Sequence, residues 1–425
     1  MTNLPQGWKM ETLGEILSSD KYSIKRGPFG SALKKSFFVE KGIRIFEQYN
    51  PINNDPHWKR YFISHEKFQE LEAFKATEGD LLISCSGTLG KIVELPKDTE
   101  MGIINQALLK IRLNNIKILN SYFIYYFNSP IMQEKILEST LGSAIKNIAS
   151  VKILKQIEIP LPPLKEQERI VGILDESFAK IDESIKILEQ DLLNLDELMQ
   201  SALQKAFNPL KDNAKENYKL PQGWKWKSLG EICEILGGGT PDTKNPIFWY
   251  SSQADEVQFE KSYYWATLVD TKQKYLYGTK RKITQKGLDC SNAILLPINS
   301  VIFSSRASIG EISIAKVETA TNQGYKNFIC DESILYYEFL YFALKHFTKE
   351  IELLAQGTTY KEVSKAKIKD FKIPLPPLKE QEQITKHLDF IFEKAKALKE
   401  LYTKELKDYE ELKQSLLDKA FKGEL

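Results

Sequence analysis

Ile159-Pro160-Leu161-Pro162-Pro163-Leu164-Lys165-Glu166-Gln167-Glu168 returns unchanged as Ile373-Pro374-Leu375-Pro376-Pro377-Leu378-Lys379-Glu380-Gln381-Glu382, 214 positions later. Ten consecutive identities do not arise by chance, so the chain is a tandem repeat. Working outward, Leu4-Pro5-Gln6-Gly7-Trp8-Lys9 and Leu13-Gly14-Glu15-Ile16 come back at an offset of 216 as Leu220 to Lys225 and Leu229 to Ile232. Between these borders run weaker echoes in the same order: Ser84 to Ile92 against Ser304 to Ile312, and Asn105-Gln106 against Asn322-Gln323. Gln200 to Phe207 answers Gln414 to Phe421, so each half is a complete unit.

Each unit changes character at its double proline. Before it, short β-type runs such as Leu81-Leu82-Ile83 and Ser300-Val301-Ile302-Phe303 alternate with turns marked by Gly and Pro, the pattern of an α/β globule. After it, glycine all but disappears and Leu, Ile, Glu, Lys and Gln dominate, the composition of one long helix. The prolines hold the chain extended as a stiff elbow, and Glu166, Glu168, Glu380 and Glu382 fall where a helix dipole favours negative charge. The expected layout is a globule over 1–160, a helix over 161–210, a second globule over 211–375 and a second helix over 376–425.

The first helix carries Ile181, Ile185, Leu188, Leu192, Leu195 and Met199 at alternating spacings of four and three, a coiled-coil seam. The second offers Leu388, Ala395, Leu398, Tyr402, Leu406, Tyr409 and Leu412 on a less regular stripe. Helices of ~40 residues would be ~60 Å long and outrun such a globule, so pairing with each other is the simplest burial of both seams. The fold class expected is α+β, with two homologous α/β domains separated and followed by long helices packed as an antiparallel coiled coil.

Net charge is +2, but its distribution is uneven. Residues 1–160 hold 21 basic against 17 acidic side chains and residues 211–375 hold 23 against 19, while 161–210 hold 5 against 10 and 376–425 hold 10 against 11. The globules, each at +4, are therefore the candidates for phosphate contact. The four cysteines and four histidines show no metal-ligand spacing. No apolar stretch approaches the roughly 20 residues of a membrane span, and the N-terminal sequence lacks a secretory pattern, so a cytoplasmic protein without membrane attachment is expected.

Two loops stand out. Lys25-Arg26-Gly27-Pro28-Phe29-Gly30-Ser31-Ala32-Leu33-Lys34-Lys35 sets a turn between basic pairs, and Gly237-Gly238-Gly239-Thr240-Pro241-Asp242-Thr243-Lys244 is glycine-rich with two threonines and a lysine. Both could bring backbone amides and short side chains against phosphates, while by physics alone each reads more often as a plain turn. The candidate nucleic-acid contacts are Lys25, Arg26, Ser31, Lys34, Lys35 and Lys146 in the first globule, and Thr240, Thr243, Lys244, Arg306, Ser308, Tyr360 and Lys361 in the second.

The whole pattern resembles the specificity subunits of type I restriction-modification enzymes. The resemblance rests on the Leu-Pro-Gln-Gly-Trp openings, the Gly-Pro-Phe-Gly-Ser and Gly-Gly-Thr-Pro loops, Ser305 to Gly310, Thr321 to Gly324 and the doubled Ile-Pro-Leu-Pro-Pro-Leu. It implies that each globule is a target-recognition domain reading one half of a bipartite, asymmetric site in double-stranded DNA, and that the chain is not itself an enzyme. It implies partners too: two modification subunits that methylate adenine with S-adenosylmethionine, and restriction subunits that translocate DNA with ATP and Mg. No cofactor is expected on this chain. Cys85 to Gly90 departs from Ser305 to Gly310, so a role for Arg306 is not carried to the first copy.

Two other readings stay open. A stand-alone adenine methyltransferase would use Asn245-Pro246-Ile247-Phe248, yet isoleucine stands at its third position and no glycine-rich cofactor loop lies nearby. A scaffold would use the helices for assembly without sequence preference. Against that, the two globules diverge in their middles while their borders match.

Overall fold

In a computed structural model of the chain, residues 4–138, 148–207, 220–250, 261–357 and 361–425 are described. The chain forms two compact units, residues 1–189 with 403–425, and residues 190–402. Each combines one globule with parts of both long helices, which span Leu164–Phe207 and Leu378–Lys422.

The repeated borders are explained by pairing. Lys9–Thr12 lies antiparallel to Glu158–Leu161, with Lys9 opposite Leu161, and Lys225–Ser228 lies on Lys372–Leu375 in the same register, with Lys225 opposite Leu375. Opening and closing motifs thus zip each globule shut. Gln167 then pins the elbow: its Nε2 donates to the carbonyls of Pro162 (2.9 Å) and Lys117 (3.0 Å), and its Oε1 accepts from Leu119 N (2.9 Å). Gln381 repeats this with Pro376 (2.8 Å), Ile334 (2.9 Å) and Tyr336 N (2.8 Å). Both side chains are fully buried, and the glutamine of the repeated motif meets its own hydrogen-bonding needs on the backbone of the elbow.

Within the first globule a four-stranded sheet has the order Ile24–Arg26, Leu108–Ile111, Leu81–Ser84, Ile92–Glu94. In the second, Cys233–Gly237, Tyr325–Cys330, Val301–Ser304 and Ile312–Ala315 stand in the same order, with Tyr275–Leu276 added at the edge. Each globule has another sheet holding one parallel pair: Ile43–Phe46 on Gly102–Ile104, and Ser262–Ala266 on Thr319–Thr321. Phe46 therefore corresponds to Ala266, an equivalence the sequences do not reveal.

The helices run antiparallel in each unit. In the first, Asp182 accepts from Lys413 and Arg169 donates to Leu425 O (2.8 Å). In the second, Asp196 accepts from Lys399. Phe421 sits edge-on to Tyr122 and Tyr126 at 5.3 and 5.0 Å, and Phe207 packs on Phe339 at 5.2 Å, so each helix's final Phe enters a globule core. Ile181, Leu188, Leu195, Leu388 and Ala395 are buried, and Ile185, Leu192, Met199, Tyr402, Leu406 and Tyr409 half-buried. Leu398 and Leu412 are not seam residues: they are 38% and 45% exposed. The four-three spacing from Ala395 runs instead through Lys399, Tyr402, Leu406, Tyr409 and Lys413, whose long stems cover the seam while their amines reach Asp196 and Asp182.

No helix among the described residues is long and apolar enough to cross a membrane.

Candidate nucleic-acid interface

The glycine loops are framed the same way in both globules. Gly27 follows strand Ile24–Arg26 and its amide donates to Leu108 O (2.9 Å); a Cβ there would stand 1.8 Å from Asn105 O, so only glycine fits. Gly238 meets Asn322 O at the same 1.8 Å. Asn105 N donates to Phe46 O (3.0 Å) while its Oδ1 accepts from Ala107 N (3.0 Å). Asn322 N donates to Ala266 O (3.2 Å) and its Oδ1 accepts from Gly324 N (2.8 Å). The asparagine of the Asn-Gln echo thus builds a tight turn in each copy. The glutamines beside it, Gln106 and Gln323, are exposed, and Thr240 Oγ1 donates to Gln323 Oε1.

A third segment joins the turn. Cys85 N donates to Ala107 O (2.8 Å), as Ser305 N does to Gly324 O (2.9 Å), and the hairpins close through Gly90 N to Ser84 O and Gly310 N to Ser304 O, both at 3.0 Å. The tip takes left-handed backbone at Gly87 (φ 66°) in one copy and at Ala307 (φ 63°) in the other, where alanine is strained. Arg306 and Ser308 flank that tip, half-buried and exposed. Glu362 pairs with Arg306 along the backbone and accepts from the buried Lys326 amine (3.0 Å), which also donates to Ser305 Oγ (3.1 Å). That contact carries the exposed Lys361 to the hairpin.

In the second globule Thr240, Arg306, Ser308 and Lys361 thus belong to connected segments, while Thr243 and Lys244 are exposed farther along the glycine loop. In the first, Ser31, Lys34 and Lys35 are exposed just past the loop. Lys25 is half-buried with its amine 5.1 Å from the Phe74 ring centre, which takes it partly out of the exposed set. Arg26 stands 5.4 Å over Phe29, itself 67% exposed at the loop tip. Lys146 and Tyr360 lie outside the described residues.

Sequence reasoning missed Gln106, Gln323 and Phe29 as candidates. The glutamines had a signal, the Asn-Gln echo. Beneath the second loop, Trp265 Nε1 donates to Gly239 O (2.9 Å) and Arg281 lies 3.6 Å over Trp249, so aromatic rings stiffen the loop from below. Among the described residues no group of three or more His, Cys, Asp or Glu side chains is arranged to hold a metal ion. Burial pushes the Cys85 thiol up to about 12, which makes it inert as a nucleophile.

What these doubled, exposed polar edges belong to is decided by comparison with known proteins. The family described as type I restriction modification DNA specificity domain matches residues 5–192 and again 221–407. The chain belongs to this family. Type I specificity subunits are the non-catalytic, DNA-recognising members of such enzymes, and this chain is one of them. It is similar to the putative type I restriction enzyme MjaX specificity subunit of Methanocaldococcus jannaschii, 24% identical over 86% of this chain and 82% of that protein. The EcoR124I/EcoR124II specificity subunit of Escherichia coli is 26% identical over 64% of this chain and 63% of its own. Two solved structures share the fold. A chain from a study of complex assembly and conformational transition in the type I R-M system aligns over the full length of both, with TM-score 0.78 and 22% identity. The HsdS subunit from Thermoanaerobacter tengcongensis covers 99% of this chain and 98% of its own, with TM-score 0.60 and 20% identity.

Proposed function

We propose that this specificity subunit reads a bipartite, asymmetric site in double-stranded DNA, one half with residues 1–160 and the other with 211–375. The observation that carries this reading is the shared wiring of loop, turn and hairpin in the two globules, on which different side chains are mounted: Ser31, Lys34 and Lys35 in one, Thr240, Lys244, Arg306 and Ser308 in the other. A common frame with different tips suits two readers of different bases. The helices 161–210 and 376–425 act as the spacer between readings and as the docking surface for two modification subunits. Those subunits supply adenine methylation with S-adenosylmethionine, and restriction subunits supply ATP- and Mg-dependent translocation and cleavage in the cytoplasm.

The test is methylation mapping in cells carrying the chain with its modification partner, against cells lacking only this chain. One gapped adenine motif that disappears with the chain is the expected result. An unchanged methylation pattern in an active system refutes the reading and leaves an assembly scaffold.

A further inference from the structure

Beside the Asn105 turn the first globule holds a cavity of about 250 Å³, with Glu47, Gln48, Tyr49, Trp58 and Arg60 in its wall. Tyr49 and Trp58 stack at 4.3 Å and 26°, giving it a flat aromatic side, and Tyr49 is 42% exposed. Glu47 Oε2 and Gln48 Oε1 are buried and accept no hydrogen bond from any described residue. Two unpartnered acceptors behind the wall of one small cavity are costly, and a side-chain rotation that turns them to a donor from outside relieves that cost. Burial pushes the Glu47 carboxyl above the ordinary range, with Arg60 opposing.

The second copy differs at the same place. Its parallel strand pair puts Thr267 and Leu268 where the first has Glu47 and Gln48. Both copies hold the following turn alike, Glu47 N donating to Asn50 Oδ1 (2.9 Å) and Thr267 N to Asp270 Oδ2 (2.9 Å). Thr267 Oγ1 donates to that same carboxylate (2.8 Å), and Leu268 packs against buried neighbours. The acceptors are thus an addition to a shared frame.

We propose that Glu47 and Gln48 determine specificity in the first half-site by accepting hydrogen bonds from the exocyclic amino group of an adenine or cytosine at the major-groove edge. This rests on the first globule being a DNA reader. Adenine N6 and cytosine N4 are the amino donors that edge presents, and carboxylate and carboxamide oxygens are their usual acceptors.

The experiment uses the full chain assembled with its modification subunits. Binding is selected from duplexes randomised in both half-sites, for wild type and for E47T/Q48L, the pair native to the second globule. The expected outcome is a loss of base preference of roughly tenfold or more at one position of the first half-site, with the second half-site unchanged. Purine replacing adenine at that position, or 2-pyrimidinone replacing cytosine, removes only the amino group. It should weaken wild type by a similar factor and leave the variant unaffected. Should the double variant fail to fold, shown by loss of the second half-site as well, Glu47→Gln reads the same position with the side-chain shape kept, and its sensitivity to the amino group must change. An unchanged motif, or equal losses on the altered base, overturns the pocket alone. A wild-type assembly that selects no motif overturns the DNA-reading function beneath it.

Discussion

At Gly27 a single added carbon would stand 1.8 Å from a backbone oxygen, whereas at Gly30, three residues on, nothing lies within 4 Å of the same addition. The two glycines of one loop therefore do different jobs. Gly30 has φ 62° and provides a left-handed step, so Gly30→Ala should cost about 1–2 kcal/mol. Gly27→Ala forces two backbones apart and should cost upwards of about 2 kcal/mol, since neither atom is the end of a movable side chain. Thermal unfolding of the two variants in parallel checks the order, and equal losses would mean that the close approach relaxes freely. Some of this was legible in sequence. Asn105 and Asn322 sit in an echo, and Gly27 and Gly238 in the two loops that stand out, because their backbone geometry admits little else, although the match between the two glycines shows only in the structure. Glu47 and Gln48 have no echo, because what reads a base is free to differ once the frame is kept.

Among the elements, the two long helices were readable from composition, but their contact face only in part. Leu398 and Leu412 fit a three-four spacing as well as Lys399 and Lys413 do, so periodicity leaves the choice open, and burial with the Asp196 and Asp182 pairs puts the face through the two lysines. Leu188→Ala should therefore cost about 2–3 kcal/mol, and Leu398→Ala or Leu412→Ala less than about 0.5 kcal/mol, by denaturant unfolding. The elbow offers a second contrast. The Gln167 carboxamide serves three backbone groups, one buried and two part-buried, and Gln167→Leu strands them at a cost of about 1–3 kcal/mol, although it adds apolar volume. Short elements at the start of each globule carry a pH dependence. Thr12 N and Ser228 N each donate to a carboxylate, at 2.7 Å in both copies, which holds Glu15 below its ordinary value and Glu231 down to about 2. A carboxyl depressed by folding stabilises above its unfolded value, near 4.5, and loses that contribution as pH falls toward the folded one. Wild type should lose stability between about pH 4.5 and pH 2 more steeply than the Glu15→Gln/Glu231→Gln variant, and parallel acid titrations would refute the role of these caps.

For the whole molecule, the proposed spacer makes a prediction in which helix packing and DNA geometry must agree. Removing one heptad from each long helix leaves every seam residue in phase, because the stripe repeats every seven positions, so the pair stays associated. It shortens each helix by about 10 Å at 1.5 Å per residue. Along B-form DNA that is about three base pairs, roughly a third of a helical turn. The accepted gap should shrink by about that number. If the rotation cannot be absorbed, binding to every gapped site should fail while the assembly remains folded by circular dichroism. Removing four residues from each helix shortens it less but breaks the seven-residue phase, which overwinds the pair locally and should lower its stability where the heptad deletion does not. Selection from duplexes with gaps of graded length distinguishes these cases. A heptad-deleted chain that prefers the original gap shows that the helices do not set the distance, and the spacing must then be held by the subunits docked upon them.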